Sequence, residues 1–530
     1  MESSARLQRF GMSRSRFNTV LIGNWALLAT FSIGVFLRLI PELLAFPNPI
    51  GFDTIYYAVI IKNSVIWPNW STFFSSTWLF YAMSIPLYQL SNVDIFSLLK
   101  ILSPVLYGVN VAGVFWFTRD TLNFDARLSL LASVFFAFQL APLRISWDLL
   151  RNSLGMGLLL FALPFARRVD SKRGFALFVL LSLLTVFAHE FSAVILVSII
   201  LVLVIRRFLA DREIGETKRL LFASFPALGV FFVGVFFRMF PVRYATAASS
   251  VLGSGDVSSG GLGRFFFLVN YFDVRSAVDY YSSYGYLALN VIVLFVVLFG
   301  SYLFLVWKGF FKNELLDTWT VLLLIGSFGC LIVPFFALEY WHRWMFMLAY
   351  PFTFYAINAV NKFSVKHRDV KSPPALGVFS RKVLVILLAT VMLGTVYLAT
   401  PVLMSTVNVG VFSIPLVYKY FSCSPTVPYQ DVKGVVQAMQ WLNTSMSNGS
   451  CVVLQHAFLF WGELHLDKSH VIVSFENDFG AGLAAASTHG FTHVYSVWWN
   501  QDIGWYGLSI PNGFVRMQDF DRISVYEYTV

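Results

Sequence analysis

Four short stretches place ionisable residues beside the apolar runs of this chain. Arg38, Glu42 and Asp53 lie within RLIPELLAFPNPIGFDTIYYA, with Tyr56 on the next turn. Arg144, Asp148 and Arg151 lie within RISWDLLRN, His189 and Glu190 within AHEFSA, and Glu339, His342 and Arg343 within ALEYWHRWMF. A carboxylate in such a setting can take the proton of a hydroxyl nucleophile. An arginine beside it can grip a phosphate leaving group through two parallel hydrogen bonds and stabilise the charge that develops there. A His–Glu pair can orient a base or supply two ligands to a divalent cation such as Mg2+ or Mn2+, although two ligands alone are an incomplete set.

Each stretch also has a plainer reading. Arg38 can snorkel to lipid headgroups. Asp148 and Arg151, three residues apart, can form a local ion pair on one helix. His189 can be an ordinary interfacial histidine, and Arg343, between Trp341 and Trp344, an anchor in an aromatic belt. Asp53, set between Phe52 and TIYY, has the weakest plain reading, because ionisable groups held at membrane level default to function. Four separate turns with such residues on one membrane face are harder to dismiss than any one of them.

The elements that must position these residues follow from the rest of the chain. Of 530 residues, 57% are hydrophobic and only 12% charged, which excludes an ordinary soluble domain. The formal charge of +10 does not mark a nucleic-acid binder. The basic residues sit in short clusters between apolar runs, such as Arg167, Arg168, Lys172 and Arg173, which is the pattern of cytoplasmic loops. About eleven crossings are expected, near 19–40, 94–118, 126–144, 147–166, 174–189, 190–206, 220–240, 284–306, 317–338, 343–361 and 382–404. A run at 77–90, broken by Pro86, reads as a surface-lying helix. The basic N-terminus reads as a retained signal anchor on the cytoplasmic side. An odd number of crossings then places the C-terminal region outside, together with the four polar turns and the loop 241–283, which carries Arg243, Arg264, Asp273, Arg275 and Asp279.

After residue 405 the apolar segments shorten. YQDVKGVVQAMQWLN predicts an amphipathic helix through Val432, Val435, Val436, Met439 and Leu442. SCVVLQ, HVIVSF and FTHVYSVWW predict strands, with GAGLAAASTHG helical between two of them. The expectation is a membrane domain, 1–404, and a small extracytoplasmic α/β domain, 405–530, with a partly parallel sheet. Cys423 and Cys451 are candidates for a disulfide there. Sequons at Asn69, Asn443 and Asn448 agree with an outer location.

The pattern R-x-x-P…G-F-D-x-x-Y-Y, from Arg38 to Tyr57, resembles the start of GT-C-fold glycosyltransferases, membrane enzymes that use polyprenyl-phosphate sugars. The W-D-x-x-R-N, H-E and H-R-W-x-F turns and the outer α/β region are similar too, most of all to archaeal relatives of dolichyl-phosphate-mannose mannosyltransferases. The resemblance implies a polytopic α-helical membrane protein with a GT-C-like bundle. It implies transfer of a hexose, mannose being the expected one, from a dolichyl or other polyprenyl phosphate. The acceptor would be a glycan, a lipid-linked glycan or a protein at the outer face of an archaeal plasma membrane. In that superfamily an acidic residue shortly after the first crossing is the base or its close partner. Asp53 matches that position, with Glu42 the alternative, Arg343 and Arg38 as donor-phosphate contacts, and His189 and Glu190 as support or metal ligands. Asp148, Arg151, His342 and Tyr56 are further cavity candidates.

One departure matters. VWWNQDIGWYG, Val497 to Gly507, echoes the WWDYG motif of oligosaccharyltransferases, but Asn500 and Gln501 interrupt its spacing, and the paired D-x-D motif expected in an outer loop is absent. Single-sugar transfer therefore ranks above en bloc transfer. Trp498, Trp499, Trp505 and Tyr506 can stack on sugar rings or pack a core. A transporter or flippase of a lipid-linked substrate is the rival reading. It would use the same arginines and aromatic groove without bond chemistry, but the chain shows no clear repeat and its polar residues gather at one face, which favours the enzyme.

Overall fold

The computed structural model describes residues 14–63, 78–211, 214–239, 251–253, 268–269, 284–334, 337–338, 340–366, 378–401, 421, 423–447, 449–475, 478–501 and 508–529. The helical part runs through α1 (Arg14–Leu44), α2 (Thr54–Asn63), α3 (Leu79–Ser91), α4 (Ile95–Asp120), α5 (Ala126–Ala137), α6 (Leu140–Asp148), α7 (Leu150–Ala162), α8 (Lys172–Ala188), α9 (Glu190–Arg206) and α10 (Ile214–Met239). After β1 (Val251–Gly253) and β2 (Leu268–Val269) come α11 (Tyr284–Phe299), α12 (Leu303–Gly309), α13 (Glu314–Ile332), β3 (Ala337–Leu338), α14 (Trp341–Met347), α15 (Ala349–Lys366) and α16 (Val378–Leu398). Side chains mark several starts. Asp94 caps α4 by accepting from Ser97 N at 3.0 Å, and Asp125 caps α5 by accepting from Leu128 N at 2.7 Å.

Among the described residues five helices are long and apolar enough to cross a membrane, their spans being Trp25–Leu44, Ile95–Asp120, Glu190–Leu209, Thr217–Gly234 and Glu314–Ile332. Two bent pairs, α5 with α6 at 62° and α11 with α12 at 77°, raise the number to seven if each is one span. The other expected crossings fall on helices that are shorter or broken: α7 ends in a 3-10 turn, and the 343–361 segment divides between α14 and α15. The helix at 77–90 is present as α3, with Pro86 inside it.

Small residues set the closest helix contacts. A Cβ on Gly34 would lie 2.8 Å from Gly108 Cα, so α1 and α4 meet backbone to backbone. That approach brings Glu42 of α1 to Lys100 of α4, where Lys100 Nζ reaches Glu42 Oε2 and its carbonyl, both at 3.2 Å, and Asn48 O at 2.7 Å. Gly155 makes room on α7 for side chains at the start of α9, since its Cβ would meet Ser192 Oγ and His189 Cβ.

The C-terminal part consists of α17 (Tyr429–Ser445), β4 (Ser450–Gln455), α18 (His456–His465), β5 (Val471–Phe475), α19 (Phe479–Thr488), β6 (His493–Trp499), β7 (Val515–Phe520) and β8 (Ile523–Thr529). The sheet order is β1-β5-β4-β6-β8-β7, parallel from β1 to β6 and antiparallel beyond. Parallel neighbours need crossover helices, which α18 and α19 supply. The sheet thus takes its edge strand, β1, from the 241–283 loop, outside the range read from the sequence. Arg243, Arg264, Asp273, Arg275 and Asp279 of that loop lie outside the described residues, as do Glu339, Asn69, Asn448, Trp505 and Tyr506.

The structure also bears on three other readings. Cys423 and Cys451 are free thiols buried in different cores, so they form no disulfide. Trp498 and Trp499 are core residues rather than a sugar platform, and Trp499 Nε1 donates to buried Asp431 at 2.9 Å. The Asn443 amide donates to His465 O and accepts from Asp467 N, both at 2.9 Å, so its side chain is committed to a turn.

Near the end of α18, Glu463 Oε1 and His465 Nε2 are buried without a hydrogen-bond partner among the described residues. Burial pushes the Glu463 carboxyl up to about 7 and, aided by Lys62, the His465 imidazole down to about 4. A raised carboxyl favours folding below its ordinary 4.5, and that advantage is lost as pH rises through 7. His465 acts in the other direction, losing stability as pH falls from 6.5 toward 4. Glu463→Gln removes only the first dependence. The unfolding free energy of the variant relative to wild type is expected to climb between pH 4.5 and 7, by about 3 kcal/mol at most. Denaturation midpoints at pH 5 and pH 8 check this, and a constant difference would contradict it.

Candidate functional site

The turn before α2 is built around Gly51. Its φ is +88°, a conformation that favours glycine, and a Cβ there would lie 2.4 Å from Asp148 Cβ and 2.9 Å from Trp147 O. Gly51 N donates to Cys423 O at 2.7 Å, and Phe52 N donates to Asp148 Oδ2 at 3.1 Å. The glycine of GFD thus lets the backbone press against the end of α6, and Asp148 grips the next amide. Asp53 follows as the residue that starts α2, its carbonyl accepting from Tyr57 N at 3.0 Å.

Arg343 faces it. Asp53 Oδ2 and Arg343 Nη2 are 3.4 Å apart, with side chains 27% and 25% exposed. Arg343 stands on the first turn of α14, just after Tyr340, whose φ is +56°, and its guanidinium carbon lies 4.6 Å from the centre of the Tyr340 ring. Burial raises the Asp53 pKa above its ordinary value. Arg343 is the largest influence pulling it back, and Asp148, Arg144 and Arg151 are close enough to act on it as well.

The remaining candidates form two supporting groups. Arg144 pairs with Asp148 on α6, while Arg151 Nη2 meets Glu190 Oε1 at 3.0 Å. The expected Asp148–Arg151 pair is therefore replaced by two others. The helix breaks at Leu149 (φ −94°, ψ 54°), so the two residues do not share a face. His189 Nε2 lies 3.5 Å from Glu190 Oε2, and His189 Nδ1 accepts from Phe191 N at 3.2 Å to start α9. Arg151 also lies over the Tyr81 ring, its guanidinium carbon 5.9 Å from the ring centre. Tyr56 packs on Phe460 at 5.3 Å, and His342 packs edge-on against Tyr340 and Phe346. Among the described residues no three of His, Cys, Asp and Glu gather to hold a metal ion, and Glu190 is engaged by Arg151. Among the described residues, His189 and Glu190 alone do not make up a full ligand set for Mg2+ or Mn2+.

Arg38 and Glu42 form a separate group. Arg38 Nη2 is 2.7 Å from Glu42 Oε1, both residues are buried, and Arg38 Nε donates to Ser146 O at 3.2 Å. Lys100 completes the cluster. Lys100, Tyr81 and Tyr340 carry no signal in the sequence that marks them as site residues. Arg144, named within RISWDLLRN, has an i,i+4 spacing to Asp148 that marks the pair it forms.

The chain is similar to the oligosaccharyltransferase of Archaeoglobus fulgidus in its apo form, with 14% identity and a TM-score of 0.47, over 88% of this chain and 69% of that one. The same enzyme tethered to an acceptor peptide containing the NVT sequon gives 13% identity, with the same TM-score and coverage. ArnT from Cupriavidus metallidurans in the apo state gives 12% identity and a TM-score of 0.49, over 97% of this chain and 98% of that one. No protein-family model and no curated protein matches the chain. At these identities and TM-scores the likeness carries no argument about substrate or residue roles.

Proposed function

We propose that this protein is a membrane glycosyltransferase that moves one sugar from a polyprenyl-phosphate donor to a hydroxyl of a glycan, glycolipid or protein. The observation that carries the reading is the approach of Arg343 to Asp53, with the Arg144–Asp148 pair of α6 and the Arg151–Glu190 pair of α7 and α9 around it. Asp53 takes the acceptor hydroxyl proton as the oxygen attacks the anomeric carbon. The bond from that carbon to the phosphate oxygen breaks, and the polyprenyl phosphate leaves with the electron pair. Arg343 stabilises the charge on that phosphate. His189 supports the site by holding the start of α9, which places Glu190 against Arg151.

Arg38 and Glu42 serve as a brace in this reading, since a wholly buried guanidinium already paired to a carboxylate is poorly placed for a lipid phosphate. Mannose as the sugar, dolichyl phosphate as the carrier and an archaeal plasma membrane with the C-terminal part outside complete the proposal, on motif resemblance and charge distribution. The test is transfer by purified protein from a panel of polyprenyl-phosphate sugars, dolichyl-phosphate mannose among them. Transfer from one donor is the expected result. Donor binding and translocation in proteoliposomes without turnover would favour a flippase instead.

A further inference from the structure

The short helix α2, which begins right after Asp53, is held along its length by α18 of the C-terminal part. Lys62 Nζ donates to Leu464 O at 2.7 Å and Asn63 Nδ2 to Glu463 O at 3.2 Å, so the last turn of α2 satisfies the open carbonyls that end α18. One turn into α2, Tyr56 packs edge-on against Phe460, ring centres 5.3 Å apart. Just before α2, Phe52 stacks on His456, the first residue of α18, at 6.3 Å and 27°. The cores interlock as well. Ile55 of α2 is fully buried in the core of the sheet layer, while Leu464 of α18 is buried among Tyr57, Ala58, Val59 and Ile61. From the opposite side, Asp148 holds Phe52 N. The Asp53 turn is thus fixed between α6 and α18.

We infer that the C-terminal α/β part is a positioning element of the reaction site, with Phe460 and Lys62 the positioning residues that set where Asp53 stands. This rests on the reading of Asp53 as the base. Neither Phe460 nor Lys62 contacts the reacting atoms in this account; both act through α2. Displacement of a base by about 1 Å costs up to a hundredfold in rate, so their removal is expected to act on kcat and not on donor binding.

The test uses the full chain in nanodiscs, with Phe460→Ala, Lys62→Met and Lys62→Arg beside Asp53→Asn. Two readouts are taken, steady-state kinetics with the polyprenyl-phosphate sugar that the wild type turns over, and hydrogen exchange of the 51–57 amides. For Phe460→Ala the expected result is a kcat lower by about ten- to a hundredfold per folded molecule. The donor KM should stay within about twofold, and the 51–57 amides should exchange faster. Lys62→Met should follow in the same direction and Lys62→Arg should restore both readouts; the lysine pair decides the matter if Phe460→Ala does not fold. If Asp53→Asn abolishes turnover while Phe460→Ala and Lys62→Met keep the wild-type kcat, the positioning role is wrong and the base stands. If Asp53→Asn keeps turnover, the base reading fails, and the positioning inference falls with it. Unchanged exchange across 51–57 in both variants overturns the clamp itself, whatever the kinetics.

Discussion

Asp53→Asn is expected to lower sugar transfer by about a thousandfold or more while the protein stays folded. Asparagine keeps the shape of the side chain and its place at the start of α2, but it cannot accept the acceptor proton. The pH dependence gives an independent check. The base works only when ionised, so wild-type turnover falls as pH drops through the folded-state pKa of Asp53. That pKa lies above the ordinary 3.8, because loss of hydration outweighs the attraction of Arg343. A phosphate that draws Arg343 toward itself leaves Asp53 with less of that attraction and a stronger hold on a proton, at the moment a base is required. Stability moves the other way. A raised carboxyl favours folding below 3.8, and the advantage is lost as pH rises through the folded value. At neutral pH the asparagine variant should therefore unfold at the wild-type temperature or above it. Loss of transfer together with a lowered unfolding temperature would point to misfolding and count against the assignment.

Glu42→Ala should do its harm through the fold. It strips the carboxylate from Arg38, which is wholly buried, and from Lys100, and leaves two cations without a counter-charge in the α1–α4 contact. Removing one partner of a buried ion pair costs about 3–5 kcal/mol, comparable to the whole stability of many domains. The expected outcome is a collapse in yield of folded protein, read by gel filtration and thermal unfolding in detergent. A triple change to Glu42→Leu, Arg38→Met and Lys100→Met should recover much of the loss, because well-packed apolar groups often replace a buried ionic cluster without penalty. A folded Glu42→Ala protein that has lost only turnover would reinstate Glu42 as the base.

The contrast between these two carboxylates shows where reading from the chain reached and where it stopped. The stretch Arg38–Tyr57 stood out from the rarity of charge near an apolar run, and so did His189, Glu190 and Arg343. Strands β4, β5 and β6 and helix α17 followed from β-rich runs and helical spacing, with Val432, Val435, Met439 and Leu442 buried as expected, whereas β1, β7 and β8 did not. What separated Asp53 from Glu42 was their partners. Lys100 lies within an apolar helix distant in sequence, and no local pattern announces that it turns toward Glu42. WDLLR reads as continuous helix, yet the chain breaks at Leu149 and sends Arg151 to Glu190. His456 and Phe460 lie in HAFLFWGELH, and their nearness to Phe52 and Tyr56 depends on tertiary docking alone.

The edge strand β1 has a consequence for how the molecule is assembled. A ribosome makes Val251–Gly253 about two hundred residues before β5, their partner in the sheet, emerges. That strand must therefore wait, unmatched, while the later helices are inserted. β2 pairs with β3 just ahead of Arg343, so the same excursion also ties into the segment carrying the proposed phosphate contact. A truncation at residue 404 would not yield a tidy helical half. It would strand β1 as a bare edge, open to pairing with another copy, and an isolated C-terminal fragment would lack the strand that closes that side of its sheet.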